Sequence, residues 1–394
     1  MESKTIKELC ELVVDCPHST PKWTTAGKIV VRNNNIKNGR IDLSAPSYTD
    51  ENHFSQRIKR AAPKPGDLII TREAPIGEVG MVPEGIECCL GQRMVLLRPD
   101  PKICDNYFLL YSLQSRFVRH QISWSEGTGT TVSNLRIPHL EKIEIPYVPL
   151  KIQKRIASIL KAIEGKMEIN RQINENLEHQ AQALYQELFV TNASPDWKNG
   201  TISDLGTVVG GSTPSKAKPE YYTDRGIAWI TPKDLSVNKS KFVARGENDI
   251  TELGLKNSSA SIMPEGTVLF SSRAPIGYIA VASGEVTTNQ GFKSVVPKSE
   301  IGTPFIYYFL KSNLPIIEGM ASGSTFKEVS GSTMKIIPAV IPDADTLARF
   351  NDFCTPIFAQ QRVLEEQNQA LASMRDSLLP KLMSGELDVS EIDL

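Results

Sequence analysis

Lys64-Pro65-Gly66-Asp67-Leu68-Ile69-Ile70-Thr71-Arg72-Glu73-Ala74-Pro75-Ile76-Gly77 returns 200 residues later, with no gap inside the block, as Pro264-Glu265-Gly266-Thr267-Val268-Leu269-Phe270-Ser271-Ser272-Arg273-Ala274-Pro275-Ile276-Gly277. The flanks repeat as well. Thr5-Ile6-Lys7-Glu8-Leu9 has a counterpart in Thr201-Ile202-Ser203-Asp204-Leu205, and Gln92-Arg93 in Gln290-Gly291. Solenoid units run roughly 20–50 residues, so a period this long means two copies of one domain. Two copies imply a pseudo-two-fold molecule that touches something at two similar places.

A chain of 394 residues, 40% of them hydrophobic, has room for two or three cores. Its cysteines (Cys10, Cys16, Cys88, Cys89, Cys104, Cys354) form no C-x-x-C pair, which points away from a zinc site or a disulfide scaffold and fits a reducing compartment. Met1-Glu2-Ser3-Lys4 leads into no apolar signal stretch, and no run approaches the ~18 apolar residues of a membrane span, so a soluble, cytoplasmic protein is expected. The net charge of −1 divides into +5 over residues 1–342 and −6 over residues 343–394. Phosphate contacts supply most non-specific affinity for nucleic acid. A DNA reader with so small a basic excess must borrow cationic surface from partners.

Each copy opens with an apolar, strand-like segment, Leu9 to Val14 and Leu205 to Val209. Short β-type runs follow, such as Leu68-Ile69-Ile70, Met94-Val95-Leu96-Leu97 and Val268-Leu269-Phe270. Helical stretches are expected at 107–115 and 305–312, and Pro-punctuated strands at 143–149 and 336–342. The fold class read from this pattern is α+β, with two similar mixed α/β domains over 1–150 and 195–342.

After each proline stop the pattern turns helical, over 151–190 and 343–383, with an acidic tail at 384–394. Ile156, Ile163, Asn170, Leu177 and Leu184 lie at steps of seven, and so do Phe350, Ile357, Leu364, Leu371 and Leu378. Such a heptad marks a narrow stripe buried against another helix. Spacing alone fits a long core helix as well as a coiled coil, but the polar run Glu365-Glu366-Gln367-Asn368-Gln369 favours an exposed helix pair. The two-fold repeat makes that coiled coil antiparallel. Ile152, Ile159 and Ile173, with Phe353 and Met374, are expected to widen the stripes, and Pro380 to end the second helix. Asn170 either sets the register or sits at a solvated turn. One helix over 151–189 would be a spacer of roughly 58 Å at ~1.5 Å per residue.

Catalytic signatures are scarce. The sequence has no G-x-x-x-x-G-K-[ST] loop, no H-E-x-x-H spacing, no G-x-S-x-G turn and no N/D-P-P-Y/F block. Asp67 with Glu73 could suggest a metal nuclease, but the second copy has Thr267 and Arg273 at those places.

The layout resembles the specificity (S) subunits of type I restriction-modification systems over almost the whole chain. The second copy carries the blocks Val209-Gly210-Gly211-Ser212-Thr213-Pro214-Ser215, Trp229-Ile230-Thr231-Pro232-Lys233-Asp234-Leu235, Gly266-Thr267-Val268-Leu269-Phe270, Ala274-Pro275-Ile276-Gly277 and Asn289-Gln290-Gly291. The first carries Pro65-Gly66-Asp67-Leu68-Ile69, Pro75-Ile76-Gly77 and Ile152-Gln153, but departs at Asp15-Cys16-Pro17-His18-Ser19-Thr20-Pro21. The resemblance implies two target-recognition domains, each reading half of a split site on double-stranded DNA, with the helices fixing the gap. It also implies a non-catalytic chain that docks two methyltransferase (M) subunits and, through them, restriction (R) subunits. S-adenosylmethionine, ATP and Mg would then sit on those partners, in a prokaryotic cytoplasm.

Candidate DNA contacts are polar or cationic loop residues, since Arg suits guanine and Gln or Asn suits adenine in the major groove. In the first copy these are His18, Ser19, Thr20, Lys22, Arg72, Arg93, Thr128, Thr130, Thr131 and Asn134. In the second they are Thr213, Ser215, Lys216, Lys233, Arg273, Gln290, Ser324, Thr325 and Lys327. Against this stands the ordinary reading of Thr213-Pro214 and Ser324-Thr325 as turns, and of Arg72 or Arg273 as partners of a carboxylate. The competing functions are a related type IIB-like specificity component, a catalytic nuclease or methyltransferase, and a protein-only coiled-coil adaptor.

Overall fold

The computed structural model describes residues 2–124, 134–323 and 327–389. The chain forms two compact units, Met1–Met167 with Ala370–Leu394, and Glu168–Gln369. Each contains one head and a length of both long helices.

The two heads share a topology. In the first, a six-stranded sheet runs in the order Cys10–Asp15, Met94–Pro99, Leu68–Thr71, Val79–Met81, Gly39–Ile41, Ile36–Lys37. In the second, the order is Gly206–Gly210, Lys293–Pro297, Val268–Ser272, Ile276–Ala282, Phe242–Val243. A four-stranded sheet lies beside each. Successive residues of a strand point to opposite faces, and here both faces are covered. Leu68, Ile70, Val95 and Leu97 enter one core of the first head, while Ile69, Met94 and Leu96 enter another. Val268 and Phe270 divide from Leu269 in the same way. Burial on both faces is why these strands read as unbroken apolar runs.

The repeated block is a braced turn. The Thr71 hydroxyl donates to the Pro75 carbonyl (2.5 Å) and accepts from the Glu78 N–H (2.9 Å). Ser271 does the same with Pro275 and Tyr278, each at 2.8 Å. Gly66 and Gly266 lie in the left-handed region (φ +87° and +83°), which explains a glycine at the same place in both copies. The opening strands lie within one residue of the expected segments, and a short helix precedes each. Thr5 and Thr201 cap short helices, Ile6–Leu9 and Ile202–Leu205, with Glu8 and Asp204 closing capping boxes, and the strands start only at Cys10 and Gly206.

The first long helix spans Leu150–Gln186 and ends in one wide turn, with the Asn192 N–H donating to the Glu187 carbonyl. The second spans Ala344–Ser384. Within the second unit they run antiparallel: Asn170 meets Gln367 and Asn368, Asn174 meets Gln361, and Tyr185 meets Phe350. The first unit shows the same sense, with Arg155 donating to the Val389 carbonyl and Glu164 facing Arg375. Ile156, Ile163, Asn170, Phe350, Ile357 and Leu364 are buried, while Leu177, Leu184, Leu371 and Leu378 are partly buried.

Two expectations about the helices fail. Ile173, Phe353 and Met374 are exposed (40%, 44% and 51%), so they do not widen the stripe. The second seam position lies four residues after the first, not three, at Leu160, Met167, Asn174, Ala181 and Leu188 on one helix and Cys354, Gln361, Asn368 and Arg375 on the other. This series is polar midway, which hid it. Pro380 also fails to stop the second helix. Its missing N–H costs one backbone bond, but burial of Leu382 and Met383 in the first head's core carries the helix on to Ser384.

Asn170 is fully buried and donates to Gln367 Oε1 (3.2 Å) and Asn368 Oδ1 (3.0 Å), so it belongs to a polar layer and not to a solvated turn. Above it, Glu178 accepts from Lys241 Nζ (2.8 Å), Lys311 Nζ (2.7 Å) and Tyr308 OH (2.9 Å). Burial alone would raise the Glu178 carboxyl, but the two lysines override it and hold the pKa at about 2. Burial pushes the Lys241 ammonium down to about 8, against the pull of Glu178.

Three outcomes follow from this layer and the cluster above it. Gln361 accepts from Lys241 and donates to the Asn174 carbonyl, so Gln361→Leu should lower stability by roughly 1–3 kcal/mol. Asn170→Leu should cost little or raise stability in the same urea titrations, because the buried Asn170 Oδ1 has no partner. For Glu178, a pKa depressed from 4.5 to about 2 means a contribution fully present above pH 4.5 and lost as pH falls toward 2. The melting-temperature difference between wild type and Glu178→Gln should therefore shrink across that window.

Candidate nucleic-acid interface

In the second head the separate sequence blocks converge on one cleft of about 380 Å³, lined by Thr213, Lys216, Trp229, Lys233, Glu247 and Gln290 among others. Gly211 makes this possible: a Cβ there would sit 1.9 Å from the Asn289 carbonyl oxygen, so only glycine lets the two loops meet. The Ser212 N–H donates to the Thr288 carbonyl (2.8 Å), and the Trp229 indole N–H to the Ser212 carbonyl (3.0 Å). Tyr222 packs edge-on against Trp229 and donates to the Pro214 carbonyl. Thr213 donates its hydroxyl to Gln290 Oε1. Lys233, at the start of a short helix capped by Thr231, pairs with Glu247 at 2.6 Å, which raises its pKa. Ser215 and Lys216 are exposed beside it.

The first head builds the same joint from different residues. Ser19-Thr20-Pro21 occupies the place of Ser212-Thr213-Pro214, and Gln92 that of Gln290. Gln92 Nε2 donates to the His18 carbonyl (2.6 Å) and to Thr20 Oγ1 (3.3 Å). The loop is anchored beneath by buried Arg57, which donates to the Ser19 and Leu90 carbonyls. His18 lies 3.2 Å from Asp15 and is mostly exposed, while Lys22 lies 3.7 Å from Asp50.

The arginines fall into two kinds. The Arg72 side chain is only 13% exposed; it binds both Asp15 oxygens (2.9 and 3.1 Å), Asn134 Oδ1 (3.3 Å) and the Leu135 carbonyl (3.0 Å). It ties the end of one strand to Asn134 and Leu135. Arg93, 58% exposed, reaches Glu73 at 3.0 Å, and Glu73 is steadied by Asn33 bonding its carbonyl. Arg273 pairs with Glu328 at 3.3 Å, which Lys293 also approaches, and exposed Lys327 adjoins them. Exposed pairs of this kind contribute only ~0–1 kcal/mol, so Arg93, Lys233 and Arg273 can exchange a carboxylate for a phosphate or base edge at little cost. Thr128, Thr130, Thr131, Ser324 and Thr325 lie outside the described residues.

Sequence reasoning did not single out Trp229 and Glu247, nor the acids Asp15 and Glu328 that hold the cations. Their signal was distributed across loops far apart in the chain. The gapless repeat aligns Arg72 with Ser272 and Glu73 with Arg273, and the backbone bonds agree: the Arg72 and Ser272 N–H groups meet the Arg93 and Gly291 carbonyls. Among the described residues no cluster of three or more His, Cys, Asp or Glu side chains could hold a metal ion. None of their helices is long and apolar enough to cross a membrane.

Known proteins show the same architecture. The profile of the type I restriction modification DNA specificity domain matches residues 1–179 and again 195–369, each match taking in a head and most of the helix that follows it. The MjaIX specificity subunit of Methanocaldococcus jannaschii is 38% identical over 191 residues; the match spans 46% of this chain and 44% of that protein. The HindI specificity subunit of Haemophilus influenzae is 22% identical over 371 residues, covering 75% of this chain and 80% of that one. The type I restriction-modification S subunit from M. genitalium has the same fold, with a TM-score of 0.60 at 18% identity over 97% of this chain and 95% of that one. With the domain profile matching twice across nearly its whole length, the chain belongs to the type I restriction-modification DNA specificity family and carries two copies of its domain.

Proposed function

We propose that this chain is the DNA-reading subunit of a type I restriction-modification complex, non-catalytic itself, in which each head reads one half of a bipartite duplex target and the helices set the gap. The observation that carries this reading is the duplicated joint. One Ser-Thr-Pro turn, held by one glutamine, recurs in both heads, yet its surroundings differ: His18, Arg93 and Glu73 in the first, Trp229, Lys233 and Glu247 in the second. A shared scaffold with different side chains at the rim is what reading two different half-sites requires. The near-neutral charge, and the acids beside Arg93, Lys233 and Arg273, leave too weak a positive field to capture DNA unaided. Methyltransferase subunits, bringing S-adenosylmethionine, and restriction subunits, bringing ATP and Mg, would complete the assembly in a prokaryotic cytoplasm.

The test is binding by the chain assembled with its methyltransferase subunits, using duplexes permuted base by base. Arg93→Ala should alter preference only in one half-site, and Lys216→Ala with Lys233→Ala only in the other. A base contact should cost ~1–3 kcal/mol and relax one position; a phosphate contact should weaken all sequences and reduce the salt slope by about 1. A change spread over both halves would overturn the division of labour. Arg72→Ala should behave differently, lowering the unfolding midpoint because it leaves Asp15 without its main partner. Chain purified without partners should bind weakly and transfer no methyl group to adenine.

A further inference from the structure

A buried lysine is costly unless its charge is met on several sides. Lys241, with a side chain only 7% exposed, is met from three elements of the second unit. Its Nζ lies 2.8 Å from Glu178 of the first long helix, 2.8 Å from Gln361 of the second, and 3.6 Å from the centre of the Phe358 ring. Tyr308, from the head's own helix Thr303–Ser312, closes the cluster by donating to Glu178. The backbone N–H groups of Lys241 and Phe242 donate to the two Glu365 oxygens at 3.0 and 3.1 Å. The strand Phe242–Val243 is thereby joined to both long helices at one point.

That strand is the last of the five-stranded sheet, and Gly206–Gly210, which leads into the Thr213 turn, is the opposite edge. Four inter-strand spacings of ~4.8 Å separate them, about 19 Å. A rocking of ~10° about the clamped edge would therefore move the cleft by ~3.4 Å, one base-pair step of a duplex. The first unit holds a lighter version of the same device. Tyr111, the counterpart of Tyr308, donates to Glu164 at 3.1 Å, and Arg375 stands 3.9 Å from that carboxylate; among the described residues no buried lysine completes it.

We propose that Lys241 and Glu178 are positioning residues that fix the angle of the second head on its helix pair, and thereby the strictness with which the gap between half-sites is measured. This rests on the bipartite reading above. The test uses the chain assembled with its methyltransferase subunits and duplexes carrying both half-sites at the native gap and at one base pair more or less. Lys241→Met keeps the stem on Phe358, and the double variant Lys241→Met with Glu178→Gln removes both charges together, so neither is left buried alone. The expected result is at least a tenfold fall in the preference for the native gap, with the base preferences inside each half-site unchanged. Equal strictness in wild type and double variant would overturn the clamp while leaving the bipartite reading intact. Loss of second-half-site base preference along with gap preference would also overturn it, because the cluster would then be shaping the head itself. A wild-type complex indifferent to the gap would overturn the bipartite reading and this proposal together.

Discussion

Burial of one stripe on each long helix is the constraint on which both units depend. The stripe does not only zip helix to helix; it finishes the heads. Ala181, Tyr185, Leu188, Phe350, Cys354 and Phe358 lie in the same core as Phe305, Tyr308 and the strand residues Val268 and Phe270. Ile156, Leu160, Leu382 and Met383 do the same beside Phe108 and Val95. Each head's sheet would otherwise expose an apolar face. The helices are structural walls as much as spacers, and moving a helix disturbs the setting of a head.

That dual duty explains what the sequence revealed and what it hid. The repeat at Lys64–Gly77 and Pro264–Gly277 declared two copies because a braced turn needs a hydroxyl, a proline and glycines at fixed places. The heptads at Ile156 and Phe350 were legible because one seam position is apolar nearly throughout. The other seam position was not, since Asn174, Gln361, Asn368 and Arg375 serve a polar middle, and the apolar residues Ile173, Phe353 and Met374 lie outside it. Pro380 misled because a local breaker was weighed without the burial of Leu382 and Met383 beyond it. At the candidate interface, the Thr–Gln joint could not be read from one sequence, because its halves lie more than seventy residues apart in each copy.

A polar middle is not the most stable choice for a helix pair. Buried Asn170 leaves an oxygen unbonded, and the cluster around Glu178 must offset the desolvation of three charged groups. An all-apolar seam would hold as firmly but would tolerate slippage by a heptad, since identical layers repeat every seven residues. Directional bonds from Asn170, Gln361 and Lys241 break that degeneracy. Under the proposed bipartite reading, a slip of one heptad, ~10 Å of helix rise, would be a misreading.

The first unit is built from two stretches far apart in the sequence, Met1–Met167 and Ala370–Leu394. Leu382, Met383 and Val389 are buried against side chains as early as Ile6 and Leu9. On the ribosome, the first head therefore emerges with one wall of its core missing and cannot close before Leu382 and Met383 have been made. The carboxy-terminal head faces no such delay, because every residue of its unit lies between Glu168 and Gln369. Vectorial synthesis thus completes the two equivalent heads nearly together, and without Leu382 and Met383 part of the first head's core would stand uncovered.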